Sequence, residues 1–121
     1  MDIEQHFYNC QITKTVGLIK NKWVICILRD LFLGKSRFND FLKCNKGLTK
    51  KQLSATLTKM ENNQLIIKYY HHTNFTHYEL TDKGKSLNKI LYEIILFSIE
   101  NNNNTLDNNI LIDYLEENIL K

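Results

Sequence analysis

The sequence predicts a mainly α (α+β) fold, in which a series of helices is interrupted once by a two-stranded β-hairpin. Two observations carry this prediction. Apolar residues recur at intervals of three and four along most of the 121-residue chain, which is the spacing of helices with one buried face. Between residues 65 and 81 this spacing is lost, and the β-branched and aromatic runs LIIKYYHH and THYELT flank a polar segment. A hairpin with a polar tip is therefore expected between helices.

Length and composition fit one globular domain with its own core. The chain is 43% hydrophobic and 11% aromatic, and its net charge is +3. The charge is unevenly distributed, because residues 43–59 hold five lysines and no acid, whereas residues 106–121 hold four acids and one lysine. This pattern indicates a surface that faces a polyanion, although a solvated lysine-rich face would have the same composition.

The sequence favours a cytoplasmic protein that does not span a membrane. No apolar run reaches the roughly 18 to 20 residues that a transmembrane helix needs, and the start MDIEQHFYNC lacks the pattern of a secretory signal. The three cysteines are an odd number without metal-site spacing, which is typical of a reducing compartment.

Two helices are predicted in the first third of the chain. The first covers residues 12–20, where apolar side chains share one face. The second follows Asn21, which is a good N-cap residue, and ends near Gly34. Cys26 lies within its apolar stretch, so we expect this cysteine to be a packing residue.

Two further helices precede the hairpin. A short one is expected to start with Ser36 as its cap and to end before Gly47. The next starts with Thr49 as its cap and runs to about Glu61, where asparagines end it. Its inward seam consists of apolar residues at i, i+4 and i+7, namely Leu53, Leu57 and Met60.

The segment after the hairpin predicts a long helix capped by Thr81 or Asp82. It is apolar almost all round between Ile90 and Ile99, which is more than one domain can cover, so a second copy of the chain is the simplest partner. Four asparagines, residues 101–104, interrupt the helix, and a closing helix with an apolar stripe is expected to lie on the same interface.

Three helices followed by a hairpin is the order of the winged helix-turn-helix, in which the third helix enters the major groove and the hairpin, or wing, contacts the backbone. Lys50 and Lys51 stand at the amino end of that third helix, where the helix dipole disfavours cations unless phosphates are near. We expect a single winged-helix DNA-binding domain over residues 1–121. Its core covers about residues 12–86, and its dimerisation segments are residues 1–20 and 86–120.

The sequence resembles the HxlR-type winged helix-turn-helix transcriptional regulators of the MarR-like superfamily. The segments KWVICILRDLFLGKSRFNDF, GLTKKQLSATLTKME and YELTDKGKSL carry the resemblance, which covers roughly residues 10–100. It implies a homodimer that binds double-stranded DNA and regulates transcription, often in response to oxidants, electrophiles or small molecules. The chain departs from the family pattern at Lys20 and Asn21, where glycines are usual, and at Gln64, near which a glycine is expected.

Three groups of residues are the candidate DNA contacts. Lysines suit phosphates or guanine edges, a glutamine suits adenine, and hydroxyls suit either. The third helix contributes Thr49, Lys50, Lys51, Gln52, Ser54 and Thr58, the wing tip contributes His71, His72, Thr73 and Asn74, and Arg37 precedes the second helix of the motif. The alternatives are a solvated helix face, a purely capping Thr49 and a local ion pair of Arg37 with Asp40.

Cysteine chemistry provides one further candidate site, for redox sensing. Cys10 corresponds to the redox-sensing N-terminal cysteine that the resemblance implies, with Lys14 one turn away, while an ordinary cysteine near a dimer interface is equally compatible. Cys44 is a weaker candidate. Neighbours in a strand point to opposite faces, so His71 and His72 do not chelate one metal together, and we expect no metal and no cofactor.

Two other classes of function compete with DNA binding. No nucleophile elbow, phosphate loop, HExxH or paired-cysteine motif is present, so we expect no enzyme. The alternative is a winged helix that binds proteins and does not read DNA, against which the lysine-rich segment argues. The identity of a small-molecule effector is not encoded in any motif.

Overall fold

The computed structural model describes residues 2–8, 11–72 and 75–121 and confirms the predicted fold class, a winged helix-turn-helix. The elements in chain order are α1 (Ile3–Tyr8), α2 (Gln11–Ile19), α3 (Lys22–Phe32), α4 (Phe38–Cys44), α5 (Lys50–Asn62), β1 (Ile66–Tyr70), β2 (Thr76–Leu80), α6 (Asp82–Lys85), α7 (Asn88–Asn101) and α8 (Asn108–Leu115), followed by a π-helical turn (Glu116–Leu120).

Helices α3, α4 and α5 surround the main core of the domain. Ile27 of α3, Phe41 of α4 and Leu53 of α5 are fully buried there. The Phe41 ring lies 6.1 Å from the ring of Tyr78 in β2, so the hairpin shares this core. Burying such side chains contributes about 2 kcal/mol each, which fixes α5 against its neighbours and leaves its opposite face free.

The predicted caps at Asn21 and Thr49 are confirmed, and the one at Ser36 is wrong. The Asn21 side chain accepts a hydrogen bond from the backbone N–H of Trp23. Arg37, not Ser36, is the N-cap residue of α4, and its side chain makes no capping hydrogen bond. The Ser36 carbonyl instead accepts the backbone N–H of Tyr78, at 2.8 Å, because this segment runs along the edge of β2.

Helix α5 ends in a Schellman motif built on a residue other than glycine. The N–H of Leu65 donates to the carbonyl of Met60, and the N–H of Gln64 donates to that of Glu61. This places Gln64 at φ +61°, in the left-handed region. A side chain there costs roughly 1 kcal/mol compared with glycine, so the glycine expected near this position would suit the backbone better.

We therefore expect Gln64→Gly to raise the free energy of unfolding by about 1 kcal/mol. The matched control is Asn63→Gly, because Asn63 has φ −86° and gains nothing from glycine. Denaturant unfolding followed by circular dichroism measures both variants. If both substitutions changed the free energy of unfolding by the same amount, the left-handed backbone at Gln64 would not be the source of the effect.

The wing is the antiparallel hairpin β1–β2, paired in register from Ile66 opposite Leu80 to Tyr70 opposite Thr76. Its base is fastened on two sides. The N–H of Thr81 donates to the carbonyl of Leu65 at 3.0 Å, and Tyr78 bonds to Ser36 as described above. The first bond closes the hairpin where β1 begins and β2 ends, and the second joins the middle of β2 to the segment before α4.

The single long helix predicted after the wing is wrong in one respect, because it is broken at Ser86 and Leu87 into α6 and α7. Thr81 caps α6, as predicted. Gly84 of α6 is buried against β1, and a Cβ atom built on it would lie 2.2 Å from the carbonyl oxygen of Leu65. This close approach fixes the position of α6, and the chain turns before α7 begins.

A buried polar network links α3 to the end of α4. Asp30 is only 2% exposed, and its carboxylate accepts hydrogen bonds from Arg29 at 2.9 and 3.0 Å and from the Asn45 amide at 2.7 Å. The Asn45 amide also donates to the carbonyl of Phe41. These donors stabilise the buried Asp30 carboxylate, because a buried carboxylate without donors would be strongly destabilising.

A large set of apolar side chains is exposed outside the core. On α7 they are Ile90, Ile94 and Phe97, which we call the α7 face; in α1 and α2 they include Ile3, Phe7, Tyr8, Ile12 and Val16; and around α8 they are Leu106, Ile110 and Tyr114. α8 itself packs on α7 through the buried Leu115. None of the helices among the described residues combines the length and apolar character needed to cross a membrane.

Candidate nucleic-acid interface

The amino end of α5 carries two exposed lysines, Lys50 and Lys51. Neither forms an ion pair with any of the described residues. Thr49 and Gln52 form a capping box beside them: Thr49 Oγ1 accepts the N–H of Gln52 at 3.1 Å, and Gln52 Oε1 accepts the N–H of Thr49 at 3.0 Å. In this conformation Gln52 therefore offers a ligand mainly its amide nitrogen.

The outward face of α5 continues through Ser54 and Thr58, which are both exposed. The predicted inward seam of this helix is confirmed, because Leu53, Leu57 and Met60 are buried. The structure thus separates the helix into a core face and a polar face, and the candidate residues of α5 all lie on exposed positions.

Arg37 lies beside the wing and not in the ion pair that the sequence also allowed. Its guanidinium carbon is 3.8 Å from the centre of the Phe75 ring, a cation–π arrangement. Among the described residues it makes no ion pair with Asp40. Arg37 keeps its charge available to an anion while Phe75 restricts its motion.

The wing histidines are arranged across the hairpin. His71 Nε2 is 2.6 Å from His77 Nδ1, and His77 Nε2 is 2.6 Å from a carboxylate oxygen of Glu79. His72 is exposed, and Thr73 and Asn74 lie outside the described residues. No group of three side chains suited to a metal occurs in the described part of the chain.

Lys68 is a cation near this surface that sequence reasoning missed. It lies in the middle of β1, and its side chain enters a cleft between α5 and the wing with a volume of about 270 Å³, also lined by Ser54, Thr58 and Thr76. Phe38 and Thr76 line this cleft and also the adjoining one that contains Arg37. Arg37, Lys68 and the polar face of α5 thus belong to one continuous surface.

The structure gives no evidence that a cysteine belongs to that surface. Cys10 lies outside the described residues, so its role as an oxidant sensor stays a prediction from the resemblance. Cys26 is half-buried in α3, in agreement with a packing role, and Cys44 is exposed at the end of α4.

The fold is that of helix-turn-helix proteins, and comparison with known proteins agrees. The family model described as HxlR-like helix-turn-helix matches residues 18–105. The chain belongs to this family.

Individual relatives are similar over most of the chain. An HTH-type transcriptional regulator of Synechocystis sp., sll1512, is 32% identical over 84 residues, covering 68% of this chain, and the chain covers 62% of that protein. The crystal structure of PA1607, described as a putative transcription factor, is 27% identical with a TM-score of 0.73, covering 82% of this chain and 70% of that one. The oxidised form of the redox regulator HypR shares the fold, with a TM-score of 0.74 and 24% identity, covering 78% of this chain and 100% of that one.

Proposed function

We propose that the protein binds double-stranded DNA as a homodimer and thereby regulates transcription. The observation that carries the proposal is the exposed amino end of α5, where neither Lys50 nor Lys51 forms an ion pair with a carboxylate of the described residues. A helix end of this kind attracts phosphate through both its dipole and its lysines.

The arrangement of the other candidates supports the same role. Ser54 and Thr58 follow along the exposed face of α5, where they can reach base edges in a major groove, and Gln52 can donate its amide N–H. The DNA backbone beside the groove is assigned to Arg37 and to the wing residues His71, His72, Thr73 and Asn74. In this assignment α5 contacts the bases, and Arg37 and the wing contact the phosphates of the DNA.

The homodimer is supported by the exposed apolar side chains of α1, α2, α7 and α8. They lie in residues 1–20 and 86–120, the segments assigned to dimerisation, and leave the third helix and wing free. A soluble monomer rarely exposes so many large apolar side chains together. A dimer would bring two α5 helices onto one duplex with two-fold symmetry.

The test is the salt dependence of duplex binding. We expect the logarithm of the association constant to fall linearly with the logarithm of salt concentration, and Lys50→Gln combined with Lys51→Gln to make that slope shallower by about 2. Lys121→Gln is the control, because this lysine is paired with Glu117 at the far end of the chain.

Fluorescence anisotropy with a duplex selected from random fragments gives both slopes. Binding that does not weaken as salt rises would contradict phosphate contacts and favour a winged helix that binds proteins instead. A slope unchanged by the double substitution would remove the amino end of α5 from the interface.

A further inference from the structure

We propose that the cleft between α5 and the wing holds one phosphate of the DNA backbone, bound by the Lys68 ammonium and the hydroxyls of Ser54 and Thr58. This inference rests on the DNA binding proposed above and adds a contact to it. It places a phosphate between α5, which is assigned to the major groove, and the wing, which is assigned to the flanking DNA backbone.

The position of Lys68 follows from the register of the hairpin. Lys68 is paired with Tyr78 across the strands, and alternation puts it on the same face as Ile66, which is buried toward the helices. The side chain therefore extends over α5 and away from the outer face of the wing. Ser54 and Thr58, four residues apart on α5, line the other side of the same cleft.

Two tyrosines hold the ammonium in place. Lys68 Nζ lies 5.1 Å from the centre of the Tyr70 ring and 5.9 Å from that of Tyr78. Contacts of this kind are attractive and restrict a long flexible side chain. A cation that is already positioned loses less conformational freedom when an anion arrives.

In the described part of the chain, the charge of Lys68 has no ion-pair partner, because no carboxylate lies within ion-pair distance of it. The phenol of Tyr78 raises the pKa of Lys68 above its ordinary value, since negative charge on that oxygen favours the ammonium form. Burial raises the pKa of Tyr78 itself, so this phenol stays neutral near pH 7. The cleft thus holds an ammonium group without an ion-pair partner, beside the hydroxyls of Ser54 and Thr58 and the carboxylate of Glu61.

Glu61 explains why a backbone phosphate suits the cleft better than a free one. Its carboxylate lines the same cleft and repels anions. One lysine opposed by one carboxylate is a weak site for inorganic phosphate in solution. A phosphodiester held close by the rest of the interface arrives at a high effective concentration, so a single added contact is enough.

The test is a double-mutant cycle between Lys68 and individual phosphates of the selected duplex. We expect Lys68→Gln to weaken binding roughly fivefold to tenfold and to make the salt slope shallower by about 1. Methylphosphonate replacement, one position at a time, should identify a phosphate in each half-site whose neutralisation weakens binding by the wild type but not by Lys68→Gln. Lys68→Arg should keep most of the affinity, and Lys121→Gln should bind like the wild type.

A second variant should change the duplex affinity in the opposite direction, and its result does not depend on whether Lys68→Gln folds. Glu61→Gln removes the repelling carboxylate, and we expect it to bind the duplex more tightly than the wild type. The phosphate site would be overturned, and DNA binding left intact, by the following result: the wild type binds the duplex with normal salt dependence, Lys68→Gln loses no affinity, and Glu61→Gln gains none. Saturation of the Lys68 side-chain NMR signals by millimolar inorganic phosphate alone would contradict the assignment to the DNA backbone. Lack of any salt-dependent duplex binding by the wild type would instead refute the proposed function itself.

Discussion

We expect Gly84→Ala to lower the free energy of unfolding by about 3 kcal/mol and the melting temperature by roughly 10 °C. A methyl group on Gly84 would meet the carbonyl oxygen of Leu65 at 2.2 Å and a methyl carbon of Leu80 at 3.1 Å. That carbonyl is backbone and already accepts the N–H of Thr81, so it cannot move aside without loosening the base of the wing. Calorimetric or circular-dichroism melting measures the change.

Gly17→Ala is the matched control for this substitution. Gly17 lies within α2, and a Cβ atom there would meet no atom within 4 Å. Alanine is the better helix former, so the melting temperature should rise slightly or stay the same. If Gly84→Ala melts at the temperature of the wild type, α6 does not approach β1 as closely as the structure has it.

The second large effect is expected at the α7 face. Phe97 is 69% exposed, and Ile90, Ile94 and Phe97 are spaced i, i+4 and i+7, on the outer side of α7. We expect Phe97→Glu to produce a folded monomer, because the new charge is compatible with water but not with an apolar interface. Duplex affinity should then fall on the order of 100-fold, since each monomer has only one α5 to offer.

Analytical ultracentrifugation and duplex titration together measure this effect. Asn103→Glu introduces the same charge at an exposed polar position of the same segment (residues 86–120) that is not one of the apolar side chains assigned to the interface, and it should leave both assembly and binding unchanged. A Phe97→Glu protein that still sediments as a dimer would exclude the α7 face from the interface. A wild type that is monomeric at the concentrations that bind DNA would refute the homodimer altogether.

The parts of the fold that were predictable depend on local chemistry. Helix α5 was recognisable because Thr49 caps it and its apolar residues recur with the helical period. The wing was recognisable because β-branched and aromatic residues are concentrated in two runs around a polar tip. In both segments the information lies within a few residues, so a single sequence is enough.

The parts that were missed depend on contacts between distant residues. The break between α6 and α7 falls before the apolar stretch that begins at Ile90, and α6 is positioned by the approach of Gly84 to Leu65, 19 positions earlier in the chain. The burial of Asp30 depends on Asn45, which is 15 residues away. Lys68 was overlooked because strand alternation gives the face of a residue but not the helix that the face meets.

The attachment of the wing to the helices bears on how the protein could distinguish one DNA sequence from another. β1 begins at Ile66, shortly after α5 ends at Asn62, and packs on that helix, and β2 is bonded to Ser36, so the wing is held against the helices. We therefore expect the separation between the outer ends of α5 and the wing to be set mainly by the protein. A bound duplex would have to supply a matching groove width and curvature, so the stiffness of base steps that no side chain contacts would enter the binding free energy.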